Sequence, residues 1–184
     1  MYSAPNPEYI KRHCDMAIDT LFSDYPAHAQ LWVYPTAQTL SDEQEAGLLA
    51  ALQPFLSTWT THGSPVTASA AVVGRRFLLI AGYIPDGGVS GCGIDASTRA
   101  IEQAARSQGI EWASTLEVFY RDASGTVASV GRRDFRQLAE NGTVSDQVAV
   151  FDPSITTVGA LRDGSFERPA SESWHGRYFE RTAA

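Results

Sequence analysis

Apolar positions along this chain fall in short blocks spaced by three to four residues or by two, and the spacing predicts the order of elements. Ile10, Cys14, Ile18 and Leu21 recur at helical steps, predicting a helix from about Pro7 to Phe22. Asp24-Tyr25-Pro26 breaks it, because the residue before proline is pushed out of helical geometry. Leu31-Trp32-Val33-Tyr34 reads as a buried strand stopped by Pro35. Ser41 and Gln44 have capping-box spacing, so a helix begins there and buries Leu49, Leu52, Leu56 and Trp59. Pro54 lacks the amide that would bond back one turn, which predicts a kink or a break. His62-Gly63 ends the element, with glycine in its usual place just past a helix.

Val66 to Val73 is small and β-branched, and Phe77-Leu78-Leu79-Ile80-Ala81 is apolar on both faces. With a turn at Gly74-Arg75 or Arg75-Arg76, the pair reads as an antiparallel hairpin. After a glycine-rich loop, Asp95 or Ser97 caps a helix running to about Gln108, with Ile101, Ala104 and Ala105 inward and Gly109 closing it. Leu116, Val118 and Tyr120 alternate as a further strand. Val127 to Val130 and Val148 to Phe151 read as strands and Arg132 to Glu140 as a short helix. From Ile155 the signal weakens, and Glu167 to Ser173 is loop-like.

Between residues 31 and 121 the order is strand, helix, strand, strand, helix, strand. This predicts an α+β fold, a ferredoxin-like split βαβ sandwich (βαββαβ) with two helices on one face of one sheet. Residues 1–30 form an N-terminal helical extension, and residues 122–184 a C-terminal strand and helix extension packed on the core.

Composition narrows the partners. The 184 residues, 43% hydrophobic, suffice for a core. The net charge of -7 lacks the basic footprint of phosphate-backbone binding, so nucleic acid is not expected. No apolar run nears the ~20 residues of a membrane span, and Met1 to Cys14 lacks a basic region followed by an apolar one; a cytoplasmic protein with no membrane partner is expected. The cysteines, Cys14 and Cys92, read as reduced thiols. His13 and Cys14 adjoin while His28, His62 and His175 stand apart, so no zinc-ligand spacing occurs and no metal is expected.

Candidate chemistry concentrates in Ser90-Gly91-Cys92-Gly93-Ile94-Asp95-Ala96-Ser97. A cysteine where a helix begins meets the positive end of the helix dipole, and glycine lets a ligand approach the backbone. In the expected topology the loop after the first helix and the loop before the second share one end of the sheet, placing His62 and Cys92 on one rim with Tyr120 and Arg121 near. Cys92 as nucleophile, His62 as base and Asp95 as positioning carboxylate would make a catalytic set. Ser90, Gly91, Gly93, Ser97 and Arg121 would line a binding site for a small anionic molecule. The structural alternatives are a packing role for Cys92, a helix-dipole contact for His62 and an N-cap for Asp95. Gly87, Gly88, Gly91 and Gly93 fit a backbone cradle or simply a loop of unusual dihedrals. No glycine-lysine-serine or glycine-lysine-threonine follows, so P-loop ATP hydrolysis is excluded, and no cofactor motif occurs. Ser173-Trp174-His175 is expected to pack over the core or line the rim.

Leu31-Trp32-Val33-Tyr34-Pro35, Trp59-Thr60-Thr61-His62-Gly63 and Ser90 to Ser97 together resemble a family of small bacterial proteins without an assigned function. Its members carry tryptophan-x-tyrosine, tryptophan-x-x-histidine-glycine and serine-glycine-cysteine-x-isoleucine-aspartate-x-serine elements in this order, and some bear an ABC-transporter ATPase label. The resemblance spans roughly residues 31–121 and implies no established activity. Three functions therefore stand as expectations: binding of a small anion at the rim, cysteine-dependent catalysis there, or a structural subunit that forms a homo-oligomer.

Overall fold

The computed structural model describes residues 18–85 and 87–180. Most of the helix expected from Pro7 to Phe22 lies outside the described residues; within them, Ile18–Thr20 is a turn of 3-10 helix.

The first sheet contains β1 (Gln30–Pro35), β4 (Thr67–Val73) and β5 (Phe77–Tyr83), all antiparallel in the order β1-β5-β4. The expected hairpin is present, and its turn carries positive φ at Gly74 and Arg75. Helices α1 (Asp42–Thr58) and α2 (Gly91–Ser107) cover one face. There Leu48, Leu52 and Leu56 of α1 and Ile101, Ala104 and Ala105 of α2 enclose Leu78 and Ile80. The inward row of α1 is thus the i, i+4 series from Leu48, with Leu49 only partly buried beside it.

Helix α1 begins as its sequence dictates: the Ser41 hydroxyl accepts from the Gln44 amide and the Gln44 side chain accepts from the Ser41 amide, each at 3.1 Å. It does not break at Pro54. Pro54 and Ala50 are exposed, so the Ala50 carbonyl that loses its partner faces water. The Pro54 carbonyl in turn accepts from the Ser57 and Thr58 hydroxyls, at 3.0 and 2.8 Å.

The fold is α+β, but the fourth strand of the expected ferredoxin-like sheet is elsewhere. β6 (Glu117–Arg121) joins β7 (Val127–Gly131), β8 (Ala149–Phe151) and β9 (Glu167–Pro169) in a second sheet, ordered β7-β6-β8-β9. The vacated edge of β1 is taken at both ends. Ala113 donates to the Pro35 carbonyl, and Leu31 donates to Thr156, both at 2.9 Å. The second sheet packs on the face of the first that the helices leave bare. Phe77 meets Phe119, Phe151 and Phe166 with ring centroids 5.0, 4.9 and 5.1 Å apart. Burial of apolar surface on both sides of β5 therefore comes from helices above and a sheet below.

The outer face of the second sheet is closed by α3 (Arg132–Glu140), whose Phe135 is buried with Val118, Val150, Ala170 and Tyr178. Leu116, expected inside the strand, precedes it and is exposed. α4 (Val158–Arg162) seals the edge of the inter-sheet core with Val158 and Leu161. Residues 167–173, expected as loop, form β9 and a 3-10 turn at Ala170–Glu172; a second 3-10 helix spans Trp174–Tyr178. The layers thus run helices, sheet, sheet, helices. No helix among the described residues is long and apolar enough to cross a membrane.

Candidate functional site

The rim lies at the Tyr83 end of β5, where α1 ends and α2 begins. Between α1 and β4 the chain forms a small hairpin, β2 (Thr60–Thr61) and β3 (Ser64–Pro65). Its two-residue turn is His62-Gly63, with φ of 48° and 80°. Two positive φ values in succession mark the turn type that suits hairpin twist. His62-Gly63 is therefore a β-turn and not a helix end: α1 stops at Thr58 with Trp59 as its C-cap, which removes the helix-dipole role expected of His62.

The hairpin is fastened to the first turn of α2. The Trp59 indole N–H donates to the Gly93 carbonyl at 3.1 Å. The Thr61 and Ser90 hydroxyls are 2.5 Å apart, and the Ser90 amide donates to the Thr61 hydroxyl at 3.1 Å. Gly93 is buried so closely against Thr61 and Val89 that a Cβ there would lie 3.2 Å from the Thr61 hydroxyl and 3.0 Å from Val89. A larger residue would lift the hairpin from the helix. The Trp32 and Trp59 rings are 5.6 Å apart, and the Tyr34 phenol hydrogen-bonds Thr98 of α2. The tryptophan-x-tyrosine, tryptophan-x-x-histidine-glycine and serine-glycine-cysteine segments are thus one packed unit.

The N-cap of α2 is Ser90, whose hydroxyl accepts from the Gly93 amide at 3.4 Å; Asp95 and Ser97 lie inside the helix. Cys92 is exposed at the second helical position, so it does not pack; Gly93 makes the close approach instead. His62 and Asp95 are exposed too, and among the described residues no hydrogen bond joins His62, Cys92 and Asp95 to one another. Ser97 is buried with its hydroxyl donated to the Ile94 carbonyl at 2.7 Å.

Arg121 is not on this rim. Its strand partner Val127 reaches over Gly74, in the turn at the far, Phe77 end of β5. There its guanidinium pairs with both carboxylate oxygens of Glu167, the second at 2.8 Å, and lies 5.3 Å over the Phe151 ring. The transfer of β6 to the second sheet is what moved it.

Sequence reasoning missed three contributors to the rim: Trp59 and Thr61, which position it, and Gln30, whose side-chain carbonyl accepts from the Val89 amide at 2.6 Å and fixes the loop entering α2. The β-branched pair Thr60-Thr61 directly before His62-Gly63 was a signal for the hairpin, masked because that glycine reads as a helix end. What the rim offers chemically is the amides of Gly91 and Cys92, first-turn donors with no acceptor among the described residues. A Cβ at Gly91 would meet nothing within 4 Å, so this backbone faces open space. A groove of about 490 Å³ lined by Thr98, Arg99, Glu102, Gln103 and Arg106 runs along α2 and does not include the rim. Among the described residues no three His, Cys, Asp or Glu side chains converge as a metal site would require.

Ser173-Trp174-His175 lies on α3 and not at the rim. His175 is buried, with Nδ1 2.9 Å from the Ser173 hydroxyl and its ring stacked on Trp174 at 3.7 Å. Burial holds its pKa down to about 4, with the nearby Asp152 carboxylate opposing and the Arg177 and Arg132 charges reinforcing the shift.

No family model, no curated protein and no solved structure matches the chain.

Proposed function

We propose that this protein binds a small anion at the rim where the His62 turn meets the start of α2. The observation that carries the reading is the pair of amides, Gly91 and Cys92, without an acceptor among the described residues, at the N-terminus of a 17-residue helix, with open space beside Gly91. Aligned peptide dipoles and free N–H groups favour negative charge at such an end. Thr61 and Ser90 hold the turn against the helix, so His62 lies one residue from a fixed point on the rim. Ser90 and Gly93 shape this site, while Gly91, Cys92 and His62 supply its contacts.

Inorganic phosphate serves as the probe in thermal unfolding at pH 7. Phosphate raises the midpoint of the native protein by binding only the folded state. Gly91→Asp places a carboxylate where the anion would sit: the variant has a higher midpoint without phosphate and responds less to it. His62→Asn, which keeps a residue that tolerates positive φ, also responds less. An equal phosphate response in all three proteins is general salting-out and overturns the reading.

The exposure of Cys92 favours a second reading, in which His62 takes the thiol proton and the thiolate attacks a thioester carbonyl to form an acyl-enzyme. The thioester C–S bond breaks to release the leaving thiol, which takes that proton back, and water then hydrolyses the acyl group. Turnover of a thioester by the native protein, lost in Cys92→Ser and reduced in His62→Asn, distinguishes catalysis from binding alone.

A further inference from the structure

The exposed large apolar side chains among the described residues are Leu116 and Trp174; Leu116 is tied to Arg132 through the backbone, and Trp174 lies under its guanidinium. The Arg132 amide donates to the Leu116 carbonyl at 3.2 Å, while its guanidinium lies 5.6 Å over the Trp174 ring. One turn along α3, Arg136 sits 5.7 Å over Tyr178. Arg177 lies 4.7 Å over Trp174 and 5.4 Å over Tyr178. Three exposed guanidiniums are thus steered by two rings, and none forms an ion pair: the pairs among the described residues are Arg75 with Asp42 and Arg121 with Glu167. Asp134 in the first turn of α3, Glu172 beside Ser173 and Asp152 near His175 make no ion pair with these arginines among the described residues.

We propose that this face of α3 and the Trp174–Tyr178 helix docks an acidic segment of a partner protein, its carboxylates held by Arg132, Arg136 and Arg177 and a neighbouring apolar side chain resting on Leu116 and the Trp174 edge. Charge complementarity selects the occupant. A guanidinium presents a planar fork that matches a carboxylate, and here stacking on the rings has already restricted the side chains. Tryptophan, tyrosine and arginine are also the residues that dominate binding energy at protein interfaces. Nucleic acid fits less well. His175 stacked at 3.7 Å and Arg177 over the ring leave no face of Trp174 for a base, and a long polyanion would meet a chain of net charge -7. A short acidic segment meets mainly the local field, because charges beyond about 8 Å are screened at physiological salt.

The test measures fluorescence polarisation of a labelled ten-residue peptide of glutamate and leucine against the full chain at 0.15 M salt. A peptide with glutamine for every glutamate, a ten-nucleotide single-stranded DNA and anionic vesicles serve as the other arms. The acidic peptide binds more tightly than the other three. Arg177→Gln and Arg132→Gln each weaken it about tenfold, as loss of one charge-assisted hydrogen bond does. Both positions are exposed, and unchanged circular dichroism establishes that the variants fold; Leu116→Ser, remote from the buried His175, supplies an independent variant that weakens the peptide without removing charge. Equal binding of the glutamine peptide, tighter binding of DNA or vesicles, or unaltered affinity in both arginine variants overturns the proposal. So does a dimer by light scattering that the arginine variants dissociate, because the face would then serve a second copy.

Discussion

Trp59 donates its indole N–H to the carbonyl of Gly93 across 3.1 Å, tying the end of one helix to the start of the next. The two residues are neighbours of the candidate chemistry at His62 and Cys92 and carry none of it. Their role is to make the His62 turn and the α2 terminus one rigid edge.

Gly93 and Gly91 therefore respond oppositely to a methyl group. Gly93→Ala forces a Cβ to within 3.0 Å of Val89 and 3.2 Å of the Thr61 hydroxyl, and the expected loss is about 1–2 kcal/mol despite the gain in helix propensity. Gly91→Ala meets nothing and is neutral or slightly stabilising. Chemical denaturation of both variants measures the contrast.

Cys92 reacts with iodoacetamide in the native protein, because its side chain is exposed at the helix start. In a Cys14→Ser background a single thiol reports. Saturating phosphate slows the reaction if the anion sits on the adjacent amides, and mass spectrometry of timed samples reads both results.

Stability falls with acid through His175. Its pKa is about 4 folded and 6.5 unfolded, so between these values the unfolded chain holds a proton that the folded chain does not. The contribution is fully present above pH 6.5 and is lost as pH drops towards 4, with a slope of up to about 1.4 kcal/mol per pH unit. His175→Gln flattens this part of the profile, as thermal midpoints from pH 4 to 7 would record.

Arg76 is buried between the sheets, donating to the Ser129 hydroxyl at 2.8 Å while its Nε finds no acceptor among the described residues. Burial lowers its pKa, with Glu117 opposing. A buried charge without an ion pair is a poor source of stability, so Arg76→Met is neutral or stabilising. Arg76→Ala leaves a void beneath Phe119 and costs about 2–3 kcal/mol. Urea midpoints of the two variants separate charge from packing.

Most local signals were legible, although the Ser90 cap and the His62-Gly63 hairpin, equally local, read in the sequence as an Asp95 or Ser97 cap and a helix end. The Ser41 cap, the hairpin around Gly74, the inward row Ile101, Ala104 and Ala105, and the span of α3 all follow from residues within a turn or two of each other. The shared rim was legible too, because the order of helices and strands places both loops at one end. The destination of β6 was not. Its Val118 and Phe119 are buried on opposite faces, a pattern that fits a central strand of either sheet. The clue lay in β5, apolar on both faces while the predicted helices cover one; an uncovered apolar face demands a second layer. Missing that layer also misplaced Arg121, whose position depends on which sheet its strand joins.

The contacts of Phe77 bear on how the chain is born. Its three ring partners, Phe119, Phe151 and Phe166, all follow it in the chain, the last by about ninety residues. At ribosomal speeds of about 5–20 residues per second, on the order of ten seconds separate the synthesis of Phe77 from that of Phe166. Until Phe166 is made, the underside of the first sheet lacks its full cover. The apolar underside of the first sheet is therefore completed by residues made well after it, and its folding has to wait for them.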